Sequence, residues 1–255
     1  MSLEVEITGT TGRMVIAREQ QGHSWSWDMW AEGAEMLQRL GADPAIRVIV
    51  IDSTGDRVFS GGADLSVLTE IDGNLERARQ LVDRVEGLMA SIEAASKPVI
   101  AAVSGAAIGA GAEIAAACDI RLASRTARFG VPAAHLGVVI TRTDVARLVR
   151  MAGTTAARDM LLTGRIFTAE EALAAGMVRS VHPPAELRQA VDELADRLAT
   201  LSSTALSAMK THLNAIQPSG PWDDTAREHS VTALASAEVG EQARAALAVR
   251  KQTRS

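Results

Sequence analysis

The hydrophobic positions change their spacing several times along the first half of the chain. LEVEIT (Leu3–Thr8) alternates apolar and polar residues and RMVIA (Arg13–Ala17) runs apolar, with a Gly-containing turn between them. That pattern predicts two paired strands. From Trp25 to Leu40, WSWDMWAEGAEMLQRL carries apolar residues at helical spacing, with Ser24 placed to cap the N-terminus. IRVIVI, Ile46 to Ile51, and VIAAV, Val99 to Val103, are short continuous apolar runs and predict buried strands. Between them lie STGDRVFSGGADL, a loop rich in Gly and Ser, a short pocket-lining loop from Ser66 to Asn74, and a helix over roughly Asn74 to Ala95. Lys97-Pro98 ends that helix.

The second half opens on GAAIGAGAEIAAACDI, Gly105 to Ile120, where a glycine loop leads into a helix and DIRLAS gives a further strand. After Phe129-Gly130 the pattern is helical, with short breaks, to about Gly176, and MVRSV predicts a last strand. From Pro184 the chain reads as helix through ELRQAVDELADRLATL, TALSAMKTHLNAI and the segment after Pro221-Trp222. Strands alternating with helices predict an α/β fold, with the helical tail packed beside it. The chain shows no internal repeat at solenoid periods and no low-complexity linker.

Composition narrows the function classes. At 255 residues, 47% hydrophobic, the chain can bury a large core, yet Glu113 and Asp119 interrupt its longest apolar run. No stretch reaches the ~18–20 residues of a membrane span, and MSLEVEITGT lacks the regions of a signal peptide. One cysteine, Cys118, permits no internal disulfide and suits a reducing cytoplasm. A formal charge of −5 without a basic stripe argues against nucleic acid, and the lack of Cys and His clusters argues against a structural metal.

Two loops carry the candidate chemistry. IRVIVI runs into FSGGADL, and VIAAV runs into SGAAIGAGAEI: in each, an apolar strand meets a loop without bulk and then a helix start. Such loops let a ligand approach the main chain, and free N–H groups at the helix start can receive a negatively charged oxygen. Side by side, they meet the requirement of an oxyanion hole. Common glycine turns are the plain alternative. No G-K-[ST] follows, which excludes a Walker loop.

FSGGADL, KPVIAAVSGAAIGAGAEIAAACDIRLAS and LTGRIFTAEEALAAGMVRSV resemble the crotonase superfamily, the enoyl-CoA hydratase/isomerase family. The resemblance covers nearly the whole chain. It implies a crotonase-like spiral of ββα turns over 1–190, binding and acting on CoA thioesters, and a helical C-terminal region over 191–255 used to build a homotrimer or a dimer of trimers. It also implies an acyl-CoA substrate with no separate cofactor. The oxyanion donors map to the N–H groups of Ala63 and Ala110, with Ala110 where the family commonly has glycine. Gly62, Gly109, Ser24, Asp64 and Leu65 match positions around the CoA pocket. Glu113 matches one of two glutamates that hydratases use to move protons, and a carboxyl among alanines is raised toward that task.

The second glutamate of that pattern is absent. It follows a proline in the family; here the segment reads FGVPAAHLG, so Ala133 takes its place, and the glycine-rich stretch beyond it reads ITRTDV. Three residues are auxiliary catalytic candidates, each beside a structural alternative. His135 is a competent base if it faces the pocket, or a packed or surface residue. Asp144 is a working acid or the first-turn residue of a helix, and Arg142 its partner, a substrate contact or a solvated group. His23 stands where the family has asparagine, near the CoA side, or is a loop residue before a helix. The expected activity is hydration or double-bond isomerisation of an acyl-CoA through an enolate. Alternatives are C–C hydrolysis, decarboxylation or thioester hydrolysis on the same fold, and CoA binding with little turnover.

Overall fold

The computed structural model describes residues 2–216 and 224–252. β1 (Leu3–Thr8) and β2 (Thr11–Ile16) form the expected antiparallel hairpin. α1 covers Met29–Ala42 and is followed by β3 (Val48–Ser53) and β4 (Val58–Ser60). α2 (Leu65–Ile71) and α3 (Leu75–Ala94) come next, then β5 (Val99–Val103), β6 (Ala106–Ile108) and α4 (Ala110–Ala117). β7 (Ile120–Ser124) and β8 (Arg128–Gly130) lead through a 3-10 turn, Ala133–Leu136, into α5 (Arg142–Thr163). β9 (Phe167–Thr168), α6 (Ala169–Ala174) and β10 (Ser180–His182) complete the sheets. α7 (Pro184–Ala199), α8 (Ser203–Ala215), α9 (Asp224–Leu234) and α10 (Ala237–Gln252) form the helical tail. Pro221-Trp222 lie outside the described residues.

The chain spirals between two sheets. One holds six strands in the order β1-β2-β3-β5-β7-β10; the other holds four, β4-β6-β8-β9. Each turn lays one strand in the first sheet, hops a few residues to one in the second, and returns through helix. Parallel pairing fixes the register, with Ile51 beside Ala101 and Ala101 beside Arg121 in the first sheet, and Ile108 beside Gly130 in the second.

The continuous apolar runs have a physical reason: both faces of the central strands are buried. Ile49, Ile51, Val99 and Ala101 face the main core, whereas Val48, Val50, Ile100 and Ala102 pack on Leu187, Val191 and Leu194 of α7. The boundary expected between 190 and 191 therefore falls inside a helix that covers the sheet. α8 is held differently. Its Lys210 is buried, and the ammonium donates to Ile92 O (3.0 Å) and Lys97 O (3.2 Å) and pairs with Asp119 at 2.8 Å.

Two expectations are corrected. α1 starts at Met29, not Trp25, and its N-cap position is Asp28, not Ser24. Trp25 is held in a parallel bridge to Ala63, with its N–H donating to Gly62 O (2.8 Å) and its O accepting from Asp64 N–H (2.9 Å), so it has no backbone groups left for a helix. Its indole stacks on Trp30, centroids 4.9 Å apart, in the core. The segment after Ser66 is α2 rather than a loop, capped by the Asp64 side chain accepting from Ser66 N–H at 3.1 Å.

Candidate active site

The two glycine loops touch. Gly62 has φ +81°, and a Cβ there would lie 2.8 Å from Ile108 O and 2.9 Å from Ala110 N. A Cβ on Gly111 would lie 2.3 Å from Ser60 O. Only glycine lets the backbones after β4 and β6 approach this closely. Ser60 locks the first loop, its hydroxyl donating to His23 O (3.0 Å) and accepting from Gly62 N–H (3.2 Å).

This contact aims two donors. In a parallel bridge the middle residue turns its own N–H away from its partner, so Ala63 points away from Trp25. Ala110 is the first residue of α4, after Gly109 at the N-cap, and a helix start leaves its N–H without an intrahelical acceptor. Neither N–H meets an acceptor among the described residues. Both residues line one cavity of about 180 Å³.

Glu113, one turn into α4, is 4% exposed and lines the same cavity. Its carboxyl receives no hydrogen bond from the described residues. Burial first, and the charge of Asp144 second, push it well above the ordinary carboxylate range, with Arg147 pulling the other way. The walls are apolar: Leu65 and Leu68 of α2, Leu81, Val82 and Val85 of α3, Leu136, and Val138 to Ile140. Ala133 presents a methyl to the cavity, and α9 adds Ser230 and Leu234.

Asp144 also lines this cavity and is 1% exposed. Thr141 caps α5, accepting from Asp144 N–H at 3.2 Å and donating its hydroxyl to Asp144 Oδ2 at 2.8 Å. Arg147 donates to Asp144 Oδ1 at 2.7 Å and, from its other terminal nitrogen, to Glu93 at 2.7 Å. Asp144 is thus both the first-turn residue of a helix and a cavity carboxylate.

The other candidates lie elsewhere. His23 is buried, its Nδ1 accepting from Arg18 N–H and its Nε2 bonded to Thr54 O, both at 3.0 Å. Burial lowers its pKa, and neither nitrogen is left for a substrate. His135 is exposed and its ring rests against Gly164, outside the cavity. Asp64 is bound by Ser66, Ser24 and Arg18, with these donors holding its carboxyl below the usual range although burial pulls it up. Ser24 and Asp64 therefore brace the loop, whereas Leu65 reaches the cavity. Arg142 opens α5 and does not line it. Cys118 is buried and its thiol is pushed up to about 12 by burial, which makes it inert.

Sequence reasoning passed over Thr141, Arg147 and Glu93, and the wall from α9. Thr141-x-x-Asp144 is a recognisable helix-start signal; Glu93 and Ser230 meet the site only through the fold.

The spiral of ββα turns with a donor pair above a buried carboxyl defines a crotonase-type α/β protein. Residues 6–237 match the family model described as enoyl-CoA hydratase/isomerase. The crotonyl-CoA hydratase of Syntrophomonas wolfei is 32% identical over 201 residues, 79% of this chain and 76% of that protein. The 2,3-dehydroadipyl-CoA hydratase of Escherichia coli is 36% identical over 201 residues, 79% and 77%. A solved enoyl-CoA hydratase/carnithine racemase from Magnetospirillum magneticum superposes with a TM-score of 0.82 at 28% identity, covering 89% of this chain and 85% of that one. The chain belongs to the enoyl-CoA hydratase/isomerase family, and it is an enzyme of that family. Among the described residues no helix is long and apolar enough to cross a membrane.

Proposed function

We propose that the chain hydrates the double bond of a 2-enoyl-CoA thioester. One observation carries the reading: the Ala63 and Ala110 N–H groups, without acceptors among the described residues, open with Glu113 onto one largely apolar cavity. The thioester oxygen sits between the two donors as it gains charge, and Glu113 exchanges a proton with the acyl carbons. CoA enters as part of the substrate and no further cofactor takes part. The enzyme works in the cytoplasm as a homotrimer or dimer of trimers.

A second reading is double-bond isomerisation, favoured by the methyl of Ala133 in the cavity, since moving a double bond needs no activated water. Loss of the conjugated-enoyl absorbance of short trans-2-enoyl-CoA thioesters, beside Glu113→Gln, tests hydration; a 3-enoyl-CoA that gains this absorbance identifies isomerisation. Neither change at high protein concentration sinks both readings. Binding of CoA without turnover would then point to a binding protein, and release of free thiol, CO2 or a cleaved acyl fragment to the other chemistries of this fold.

A further inference from the structure

Two carboxyl groups face one cavity, and their surroundings differ in kind. Asp144 is held from both sides, by the Arg147 guanidinium at Oδ1 and the Thr141 hydroxyl at Oδ2. Glu113 receives no hydrogen bond among the described residues and opens onto the apolar walls of the cavity. The charged groups packed around the pair are Glu86 and Glu93 on α3, Arg147 and Arg150 on α5 and Arg227 on α9. Glu86 also reaches the Thr141 hydroxyl, whose single proton goes to Asp144, while the guanidinium groups of Arg147 and Arg150 are both tied to Glu93. Two fixed donors hold the Asp144 carboxylate in one orientation and leave its remaining lone pairs toward the cavity it lines, whereas burial without donors raises Glu113 toward the acid.

We propose that Asp144 is the resident base of this site and Glu113 the resident acid, with Thr141, Arg147 and Glu93 as positioning residues. The proposal rests on the hydration reading. Asp144 takes one proton from a water, and the water oxygen bonds to C3 of the enoyl group. The C2–C3 π pair forms the C1–C2 double bond, and the carbonyl pair moves onto the thioester oxygen, where Ala63 and Ala110 hold it. When the enolate collapses, C2 takes the proton of Glu113. The product has gained one H and one OH, and a proton passing from Asp144 to Glu113 restores the pair. The missing second glutamate is thereby replaced from the start of α5, across the cavity from α4, and not from the Ala133 position.

The test uses the full chain with trans-2-hexenoyl-CoA. Asp144→Asn is expected to lower kcat by about 10²–10⁴, the usual worth of a positioned base, with little change in KM. Thr141→Val removes one donor but keeps the carboxylate, so kcat is expected to fall with little change in KM, and Thr141→Ser, which keeps the hydroxyl, to retain it. A second readout needs no turnover. The infrared difference between wild type and Glu113→Gln near neutral pH is expected to contain the band of a protonated carboxyl. Asp144→Asn with kcat within twofold of wild type overturns the proposal, and so does the absence of that band. Wild type without turnover but with the band sinks the hydration reading and Asp144's role with it. Turnover without the band sinks this proposal alone.

Discussion

Gly111→Ala tests the contact that aims the two donors. The new Cβ would lie 2.3 Å from Ser60 O, more than 1 Å short of the 3.4 Å where ordinary contact begins. The obstacle is backbone and cannot swing aside, so α4 and the loop after β4 must separate. Overpacking of this kind costs about 1–3 kcal/mol, and the gain in helix propensity offsets up to about 1 kcal/mol. A net loss of about 1–2 kcal/mol lowers Tm by roughly 3–8 °C in a chain of this size. Separation also shifts the Ala110 N–H relative to that of Ala63. A misplacement of about 1 Å in a site can cost about 10²-fold, so kcat on an enoyl-CoA should fall by about 10–10². The control is the same exchange at Gly87, an exposed position within α3 where an added Cβ meets nothing within 4 Å. Gly87→Ala should raise stability by about 0.4–1 kcal/mol and leave kcat alone. Thermal melts and steady-state rates on both variants decide the matter. If Gly111→Ala behaves like Gly87→Ala, the two loops are not in contact and the donor pair loses its physical basis.

Other outcomes follow from burial and charge. Because burial raises the Glu113 carboxyl, the folded chain binds a proton there that the unfolded chain gives up, and stability falls as pH rises above the ordinary carboxylate range. Glu113→Gln should therefore raise Tm near pH 8 more than near pH 5, and an equal or opposite effect would refute the assignment. His23 has the reverse sign: its pKa is lowered from 6.5 by burial, so its contribution is present above about that pH and lost as pH falls below it. Asn tolerates the positive φ of this position, so His23→Asn should flatten the acid decline of Tm, and an unchanged decline would place its origin elsewhere. Lys210→Met deletes the three buried contacts that seat α8. It should cost about 1–3 kcal/mol and make α8 more open to proteolysis, with kcat little changed; unchanged protease resistance would show that α8 is seated by other contacts.

The first sheet was legible because β3 and β5 are buried on both faces and stand out as unbroken apolar runs. The second sheet was not: β4, β6 and β8 have three residues each, too few to show a period; β4 and β6 sit inside segments read as glycine loops, and β8 falls between the DIRLAS strand and the stretch read as helix. The start of α1 was misplaced because Trp25, Trp27 and Trp30 mimic helical spacing while Trp25 belongs to a bridge 38 residues away, at Ala63. Glu113 could be singled out as a carboxylate among alanines. Asp144 could be named but not placed, since its role depends on Arg147 and on Glu93 from another helix.

The cavity joins parts from separate helices. Its carboxyls stand on α4 and α5, while Ser230 and Leu234 come from α9, which sets Val231 and Leu234 in the core and joins α3 outside it through Arg79 with Glu228 and Arg227 with Asp83. Exposed pairs of this kind contribute little to stability and are easily exchanged. Descendants of this sequence can therefore reshape the wall beside the acyl chain by changes in α9 while inheriting the proton-transfer apparatus intact. Substrate range and chemistry are free to evolve at different rates.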